Sequence, residues 1–70
     1  MNRQPVSSSN LRSVGYDNAD LTLEVEFHHG GVYQYFDVPE DVYLDLMDAT
    51  SKGKYLDRHI KERYRFRKIR

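Results

Sequence analysis

Positions 21–28 alternate strictly between apolar and polar side chains, and this pattern restricts the fold more than any other in the chain. The apolar members are Leu21, Leu23, Val25 and Phe27. A period of two is the signature of a strand with one buried face, so these four residues are expected to face the core. Residues 29–31 favour a turn, and residues 32–36 are rich in β-branched and aromatic side chains. The centre of the chain is therefore predicted to be a β-hairpin.

The register of this hairpin decides which side chains share a face. A two-residue turn at positions 29–30 pairs position 25 with position 34. Tyr33 and Tyr35 then lie on the same face as Glu24 and Glu26. A change of one residue in the loop length reverses that assignment.

Helical patterns follow the hairpin. Pro39 suits a first helical turn, and the apolar residues after it recur at helical spacing: Val42, Tyr43, Leu46 and Met47. Ser51 is a good N-cap for a second helix, although Gly53 in its first turn is unfavourable, and Leu56 and Ile60 are its expected core contacts.

A further strand is expected upstream, at positions 11–16, because a two-stranded hairpin alone is marginally stable in water. The sequence thus predicts an α+β fold of order βββαα. A three-stranded antiparallel β-meander is followed by two C-terminal α-helices that pack on the sheet. The residues at 64–70 alternate between aromatic or apolar and basic types. This pattern is compatible with an extension of the last helix, with an additional strand or with a frayed end.

The chain length of 70 residues fits a single domain spanning residues 1–70. There is no cysteine, so neither a disulfide nor a thiolate zinc site can stabilise it. No run of 18 apolar residues is present and the first ten residues lack a hydrophobic stretch, so we expect no membrane span, no signal peptide and a cytoplasmic location.

The formal net charge of zero hides a strong separation of charge. Residues 21–50 contain seven carboxylates and no Lys or Arg, whereas residues 51–70 contain nine Lys or Arg against two carboxylates. Such asymmetry points to an acidic or nucleic-acid partner for the basic residues 51–70. The alternative is that the acidic and basic segments face each other in the fold, or that each is a solvated surface.

Lys54, Arg58, Lys61 and Arg65 have the spacing of one helical ridge, if the second helix extends that far. Cations bind phosphate, and nearby aromatic rings can stack on unpaired bases. The candidate nucleic-acid-binding residues are Lys52, Lys54, Tyr55, Arg58, Lys61, Arg65, Phe66, Arg67 and Lys68. Packing in the core is the competing interpretation for each aromatic residue.

The sequence contains no persuasive catalytic or metal-binding motif. His28 and His29 are neighbours on a strand or turn and lack regular ligand spacing, and Ser51, Asp57 and His59 have no motif that would position them as a triad. We expect no enzymatic activity, no cofactor, no metal and no small-molecule substrate.

Several short motifs occur in an order that resembles one family across essentially the whole chain. They lie at positions 6–11, 14–17, 32–36, 38–39 and 51–55. Taken together, they are similar to the KTSC domain family, which is named after a C-terminal domain of some lysyl-tRNA synthetases. Two departures are His29-Gly30, where Asn-Gly is expected, and Arg65, where proline is frequent.

The resemblance implies a stand-alone bacterial or phage protein with no assigned catalytic residues. It places the family's Tyr-x-Tyr element at Tyr33 and Tyr35 and suggests RNA, such as tRNA, as a partner. The first hypothesis is therefore an RNA-binding module that acts through the basic C-terminal helix and tail. The alternative is a protein-interaction or self-association module, in which an acidic stripe at Asp41, Asp45 and Asp48 meets the basic ridge of another molecule.

Overall fold

A computed structural model describes all residues, 1–70, and shows a five-stranded antiparallel sheet with two helices. The elements in chain order are β1 (Gln4–Pro5), β2 (Leu11–Asp17), β3 (Thr22–Phe27), β4 (Val32–Tyr35), α1 (Glu40–Asp48), α2 (Lys52–His59) and β5 (Phe66–Lys68). The order of strands across the sheet is the same as their order in the chain. The α+β class, the central meander and both helices are confirmed.

The predicted number of three strands is wrong, because a short strand is added at each edge of the meander. The tail forms β5 because the outer edge of β4 offers it backbone partners. The Val32 amide donates to the Arg70 carbonyl and the Phe36 amide to the Arg65 carbonyl, both at 2.9 Å. On the other side, β1 pairs with β2 through only two residues.

The hairpin between β3 and β4 has a three-residue loop rather than the predicted two-residue turn. Gly30 donates to the Phe27 carbonyl at 2.9 Å and adopts a φ of +103°, as is usual for the last residue of such a loop. Val25 consequently faces Tyr33, and Leu23 faces Tyr35.

This register corrects the predicted faces of the sheet. Tyr33 and Tyr35 lie on the face that carries Leu23 and Val25, which we call the helix face. The side chains beside Glu24 and Glu26 are instead Ser13, Gln34 and Val32, on what we call the polar face.

Both helices pack on the helix face and close one core. Its buried members are Leu11, Val14, Leu23, Val25, Phe27, Tyr35, Val38, Leu46, Leu56 and Ile60. Burial of each large aliphatic side chain contributes about 1.5–3 kcal/mol before the entropy of ordering is counted. Leu21 departs from the predicted pattern, because β3 begins one residue later and Leu21 is exposed.

The first turn of α2 explains why a glycine is tolerated there. Ser51 Oγ accepts a hydrogen bond from the Lys54 amide at 3.4 Å, which satisfies one free donor at the helix start. A Cβ atom on Gly53 would lie 2.7 Å from Asn10 Nδ2, so the absence of a side chain lets the loop before β2 approach the helix.

Neither helix is long and apolar enough to span a membrane; α1 has nine residues and α2 has eight.

The polar face carries a network of ion pairs around Glu24 and Glu26. The Arg3 guanidinium donates to the Glu24 carboxylate, and Ser13 Oγ donates to Glu26 Oε1 at 2.8 Å. The Arg70 guanidinium reaches Glu26 Oε2 at 3.4 Å. The hydrogen bond from Ser13 lowers the pKa of Glu26, and the nearby positive charges of Arg3, Arg12 and Arg70 act in the same direction.

Candidate nucleic-acid interface

An open aromatic pocket lies on the helix face beside β4 and β5. Its volume is about 350 Å³, and it is lined by Phe27, His29, Tyr33, Tyr35, Lys61 and Phe66. We call this the aromatic pocket. Phe66 enters it because β5 places Phe66 directly opposite Tyr35.

The rings of the aromatic pocket form one connected set. The Phe66 ring lies 6.0 Å from Tyr33 and 5.9 Å from Tyr35 between ring centroids, and Tyr33 meets Phe27 edge to face at 5.6 Å. The His29 ring stacks on Phe27 at 5.4 Å with an interplanar angle of 6°. These separations are those of favourable aromatic pairs, so the walls of the pocket support one another.

A single cation lies at the wall of this pocket. Lys61 Nζ is 5.5 Å from the centroid of the Phe27 ring, a favourable cation–π position. The same ammonium is 3.0 Å from Asp57 Oδ1, an exposed ion pair that contributes little to stability. Lys61 is therefore held near the pocket while remaining partly solvated.

A second, shallower depression adjoins the aromatic pocket and shares Lys61 and Phe66 with it. Its volume is about 670 Å³, and its remaining lining residues are Phe36, Glu62, Arg63, Tyr64 and Arg65. We call it the basic depression. The Arg65 guanidinium lies 5.5 Å from the Phe36 ring centroid and 3.3 Å from the Asp37 carboxylate. Together the two hollows present aromatic rings beside three cations.

The predicted basic ridge does not exist as one helical surface, because α2 ends at His59. Lys54 and Arg58 lie exposed on α2, whereas Lys61 and Arg65 belong to the segment that leads into β5. Neither Lys54 nor Arg58 forms an ion pair within the domain, which leaves both charges available to a partner. Lys52 instead donates to the Ala49 carbonyl at 3.2 Å.

The remaining cations of the tail divide between the two faces of the sheet. Lys68 lies opposite Tyr33 and so belongs to the helix face with Phe66. Arg67 lies opposite Gln34 and belongs to the polar face. Of these two, Lys68 is therefore the one that shares the face of the aromatic pocket.

Tyr55 lines neither the aromatic pocket nor the basic depression. It is half-buried against the core, and its ring lies 4.5 Å from that of His59. Burial raises the pKa of Tyr55, and the negative charges of Asp45 and Asp41 on α1 add to the effect. These carboxylates would repel a phosphate, so the predicted stacking role of Tyr55 has no support in the geometry.

The structure thus brings four of the singled-out residues together at the aromatic pocket: Tyr33, Tyr35, Lys61 and Phe66. Sequence reasoning missed Phe27 and His29 as lining residues. Their predicted positions in the core and in the turn are correct, but neither position by itself indicates a pocket. The signal that could have found them is the loop length, since a three-residue loop places Phe27 and Tyr33 on one face.

Comparisons with known proteins agree on one family. The KTSC domain family model matches residues 7–64. The crystal structure of a KTSC domain protein from Yersinia pestis superposes with a TM-score of 0.95 at 46% sequence identity, covering 99% of this chain and 97% of the other. A protein of Stutzerimonas stutzeri is 41% identical, with 99% of each chain covered.

A lysine–tRNA ligase of Nostoc punctiforme is 38% identical over 59 residues, which are 84% of this chain and only 10% of the ligase. A similar segment occurs in the lysine–tRNA ligase of Trichormus variabilis, at 36% identity over the same share of each chain. The same domain is therefore found both in small proteins and as a minor part of much larger tRNA ligases. From the family match, the superposition and these relatives, it follows that the chain belongs to the KTSC domain family.

Proposed function

We propose that this domain is a non-catalytic RNA-binding module of the cytoplasm, with tRNA as the favoured partner. Its binding surface is the basic depression with the adjoining aromatic pocket, extended by Lys54 and Arg58 on α2. The observation that carries this proposal is the placement of aromatic rings and cations side by side on one open surface.

The ion pairs of the domain favour an external partner for the basic segment. Among its cations, only Lys61, Arg65 and Arg70 form ion pairs, and the pairs of Lys61 and Arg65 are exposed. Exposed pairs contribute at most about 1 kcal/mol, so a phosphate can replace the carboxylate at little cost. The acidic stripe at Asp41, Asp45 and Asp48 forms no ion pair with the basic segment, which leaves the basic charge unneutralised.

The tRNA ligases that contain a similar segment supply the reason for preferring tRNA. An enzyme that handles tRNA gains affinity from an additional surface that contacts the same molecule, through the high effective concentration of a tethered site. The segment is a tenth of the ligase, as expected of an accessory module.

Two charge reversals that are matched in net charge test the proposal. Arg63→Glu alters the basic depression, whereas Arg12→Glu alters an exposed residue of β2 outside it; neither arginine forms an ion pair. Loss of a phosphate contact at Arg63 should weaken tRNA binding about three- to tenfold at low salt and reduce the slope of log affinity against log salt by about 1.

The measurement is an amide-detected NMR titration of each labelled protein with bulk tRNA, at low and at moderate salt. In the wild type, signals of residues 61–68 should shift or broaden, and added salt should reverse the change. Equal weakening by the two reversals would assign binding to net charge alone, and no perturbation at low salt would overturn the proposal.

A second candidate function is self-association, or binding of another protein, through the acidic stripe. The three carboxylates at Asp41, Asp45 and Asp48 are exposed and unpaired within the domain, so they are available to a basic surface of another molecule. Salt weakens such association as well as RNA binding, so salt alone does not separate the two. Self-association predicts that the mass of the protein in solution rises with its concentration at low salt. Asp45→Asn should then return the mass to that of the monomer.

A further inference from the structure

We propose that the aromatic pocket receives one unpaired nucleobase, so that the domain prefers single-stranded to double-helical nucleic acid. This inference rests on the proposed RNA binding and assigns it a substrate class. The surrounding cations would supply affinity for any nucleic acid, and the pocket would supply the preference for single strands.

The first argument is the exposure of Phe66. The residue is 57% exposed, although it belongs to a strand and its ring contacts Tyr33 and Tyr35. A strand residue of this size gains nothing for stability from the exposed part of its ring. The ring is nonetheless held at a fixed angle by two neighbours, which is the condition for stacking on a planar ligand at low entropic cost.

The second argument is the size of the pocket. A volume of about 350 Å³ lies at the lower end of the range for small-molecule clefts, which is about 300–1,000 Å³. A nucleobase is smaller than this volume, so one base fits within the hollow. The bases of a double helix are stacked and cannot enter unless one of them leaves the stack, which costs a few kcal/mol.

The third argument is the sign of the charge at the pocket wall. When an aromatic cage binds a cation, the attraction is strongest if the charge lies over the face of a ring. Lys61 already occupies this position over Phe27. The ammonium occupies the place that a second cation would take, and its exposed pair with Asp57 can be replaced by a pair with a phosphate at little cost. Lys68, opposite Tyr33 on the same face, adds a second positive charge, so the favoured occupant is an aromatic ring attached to a phosphate.

The fourth argument concerns His29, which forms one wall. Its Nδ1 accepts a hydrogen bond from the Gly31 amide at 3.2 Å, so in the neutral ring the proton lies on Nε2. His29 lines the pocket with its ring stacked on Phe27, so the Nε2 proton is a candidate donor to the acceptor atoms at the edge of a base.

The test compares a short single-stranded RNA of mixed sequence with the duplex that it forms with its complement. The wild type should bind the single strand more tightly than the duplex. Phe66→Ala should weaken single-strand binding by about tenfold, because one stacking contact is lost, and should leave duplex binding unchanged. Leu44→Ala is the matched control, since Leu44 is 55% exposed on α1 and lies outside the pocket.

A second variant reports contact directly. The chain contains no tryptophan, so Phe66→Trp introduces a single indole whose fluorescence a stacked base quenches. We expect retained single-strand affinity and quenching by the single strand but not by the duplex. This variant also provides a result if Phe66→Ala fails to fold.

The outcomes separate the two proposals. If neither of these RNAs nor tRNA binds to the wild type, both the proposed function and this inference are overturned. If single strand and duplex bind equally and Phe66→Ala changes neither, only the inference fails, and RNA binding through charge remains. If an acidic peptide that contains tyrosine quenches the fluorescence of the Phe66→Trp variant and RNA does not, the ligand of the pocket is a protein and not a nucleobase.

Discussion

Tyr35 gives a prediction at the scale of a single residue. Burial raises its pKa to about 12, and Tyr33 and the Asp57 carboxylate act in the same direction. Since the pKa in the folded state is above that in the unfolded state, the neutral ring contributes stability that is fully present below pH 10 and is lost as the pH rises towards 12. The free energy of unfolding of the wild type, relative to Tyr35→Phe, should therefore fall above pH 10.

Urea denaturation of both proteins at several values between pH 8 and 11 measures this difference, with the pKa of an unperturbed tyrosine at about 10 as the reference. Other tyrosines ionise in both proteins, so subtraction removes their contribution. A difference that stays constant over the whole range would contradict the prediction.

Single residues also show how far the candidate site could be predicted from the sequence. Phe66 and Lys61 were found because they lie in a segment of obvious charge, and the structure places both at the aromatic pocket. Tyr55 lies in the same segment, yet it faces carboxylates of α1 that are distant in sequence. No local pattern contains that information, because it depends on how α1 and α2 cross.

At the scale of an element, the β3–β4 hairpin illustrates a different limit. Its two strands were predictable from side-chain alternation and residue type, but its register depended on whether the loop had two residues or three. Gly30 and Gly31 both accept a positive φ, and the sequence does not say which of them does so. The structure assigns that conformation to Gly30, which moves Tyr33 and Tyr35 to the helix face.

The start of α2 gives a prediction at the same scale. Alanine is favoured over glycine in a helix by about 1 kcal/mol, but a Cβ atom at position 53 would lie 2.7 Å from Asn10 Nδ2. We expect Gly53→Ala to be more stabilising in an Asn10→Ala background than in the wild type, because the amide no longer has to move.

A double-mutant cycle by chemical denaturation measures this coupling. Asn10→Ala alone is the control for any effect on the loop before β2. The same change in stability for Gly53→Ala in both backgrounds would show that Asn10 adjusts without cost and would contradict the prediction.

At the scale of the whole molecule, the order of strands predicts which parts open first. β3 is paired on both sides, whereas β1 and β5 have two and three residues and are paired on one side only. Val25 is fully buried on β3, so its amide should exchange with solvent only on global unfolding. The Val32 amide, which donates to the Arg70 carbonyl, should exchange through detachment of the tail.

Native-state hydrogen exchange with added denaturant distinguishes the two cases. Exchange at Val25 should depend on denaturant as strongly as global unfolding does, and exchange at Val32 should depend on it much less. Equal rates and equal denaturant dependence at both amides would show that β5 opens only together with the rest of the domain.

The same scale explains why β5 escaped prediction. Its partner, β4, lies about thirty residues earlier in the chain, and the two helices come between them. Residues 64–70 alone are compatible with a helix, a strand or neither. The free edge of β4 determines that this segment forms a strand, and that edge exists only in the assembled sheet. The separation of charge, by contrast, needs no folding to be visible, and it was found from the sequence alone.

Glu26 is contacted by arginine side chains from both terminal segments of the domain. Arg70 reaches its carboxylate at 3.4 Å, and the Arg3 guanidinium lies 3.9 Å from it, although β1 and β5 are at opposite edges of the sheet. The two arginine side chains reach one carboxylate on the central strand from opposite sides and so link both terminal segments to it. A single charge at position 26 thus connects the two parts of the chain that have the least backbone pairing, because β1 pairs through two residues and β5 through three.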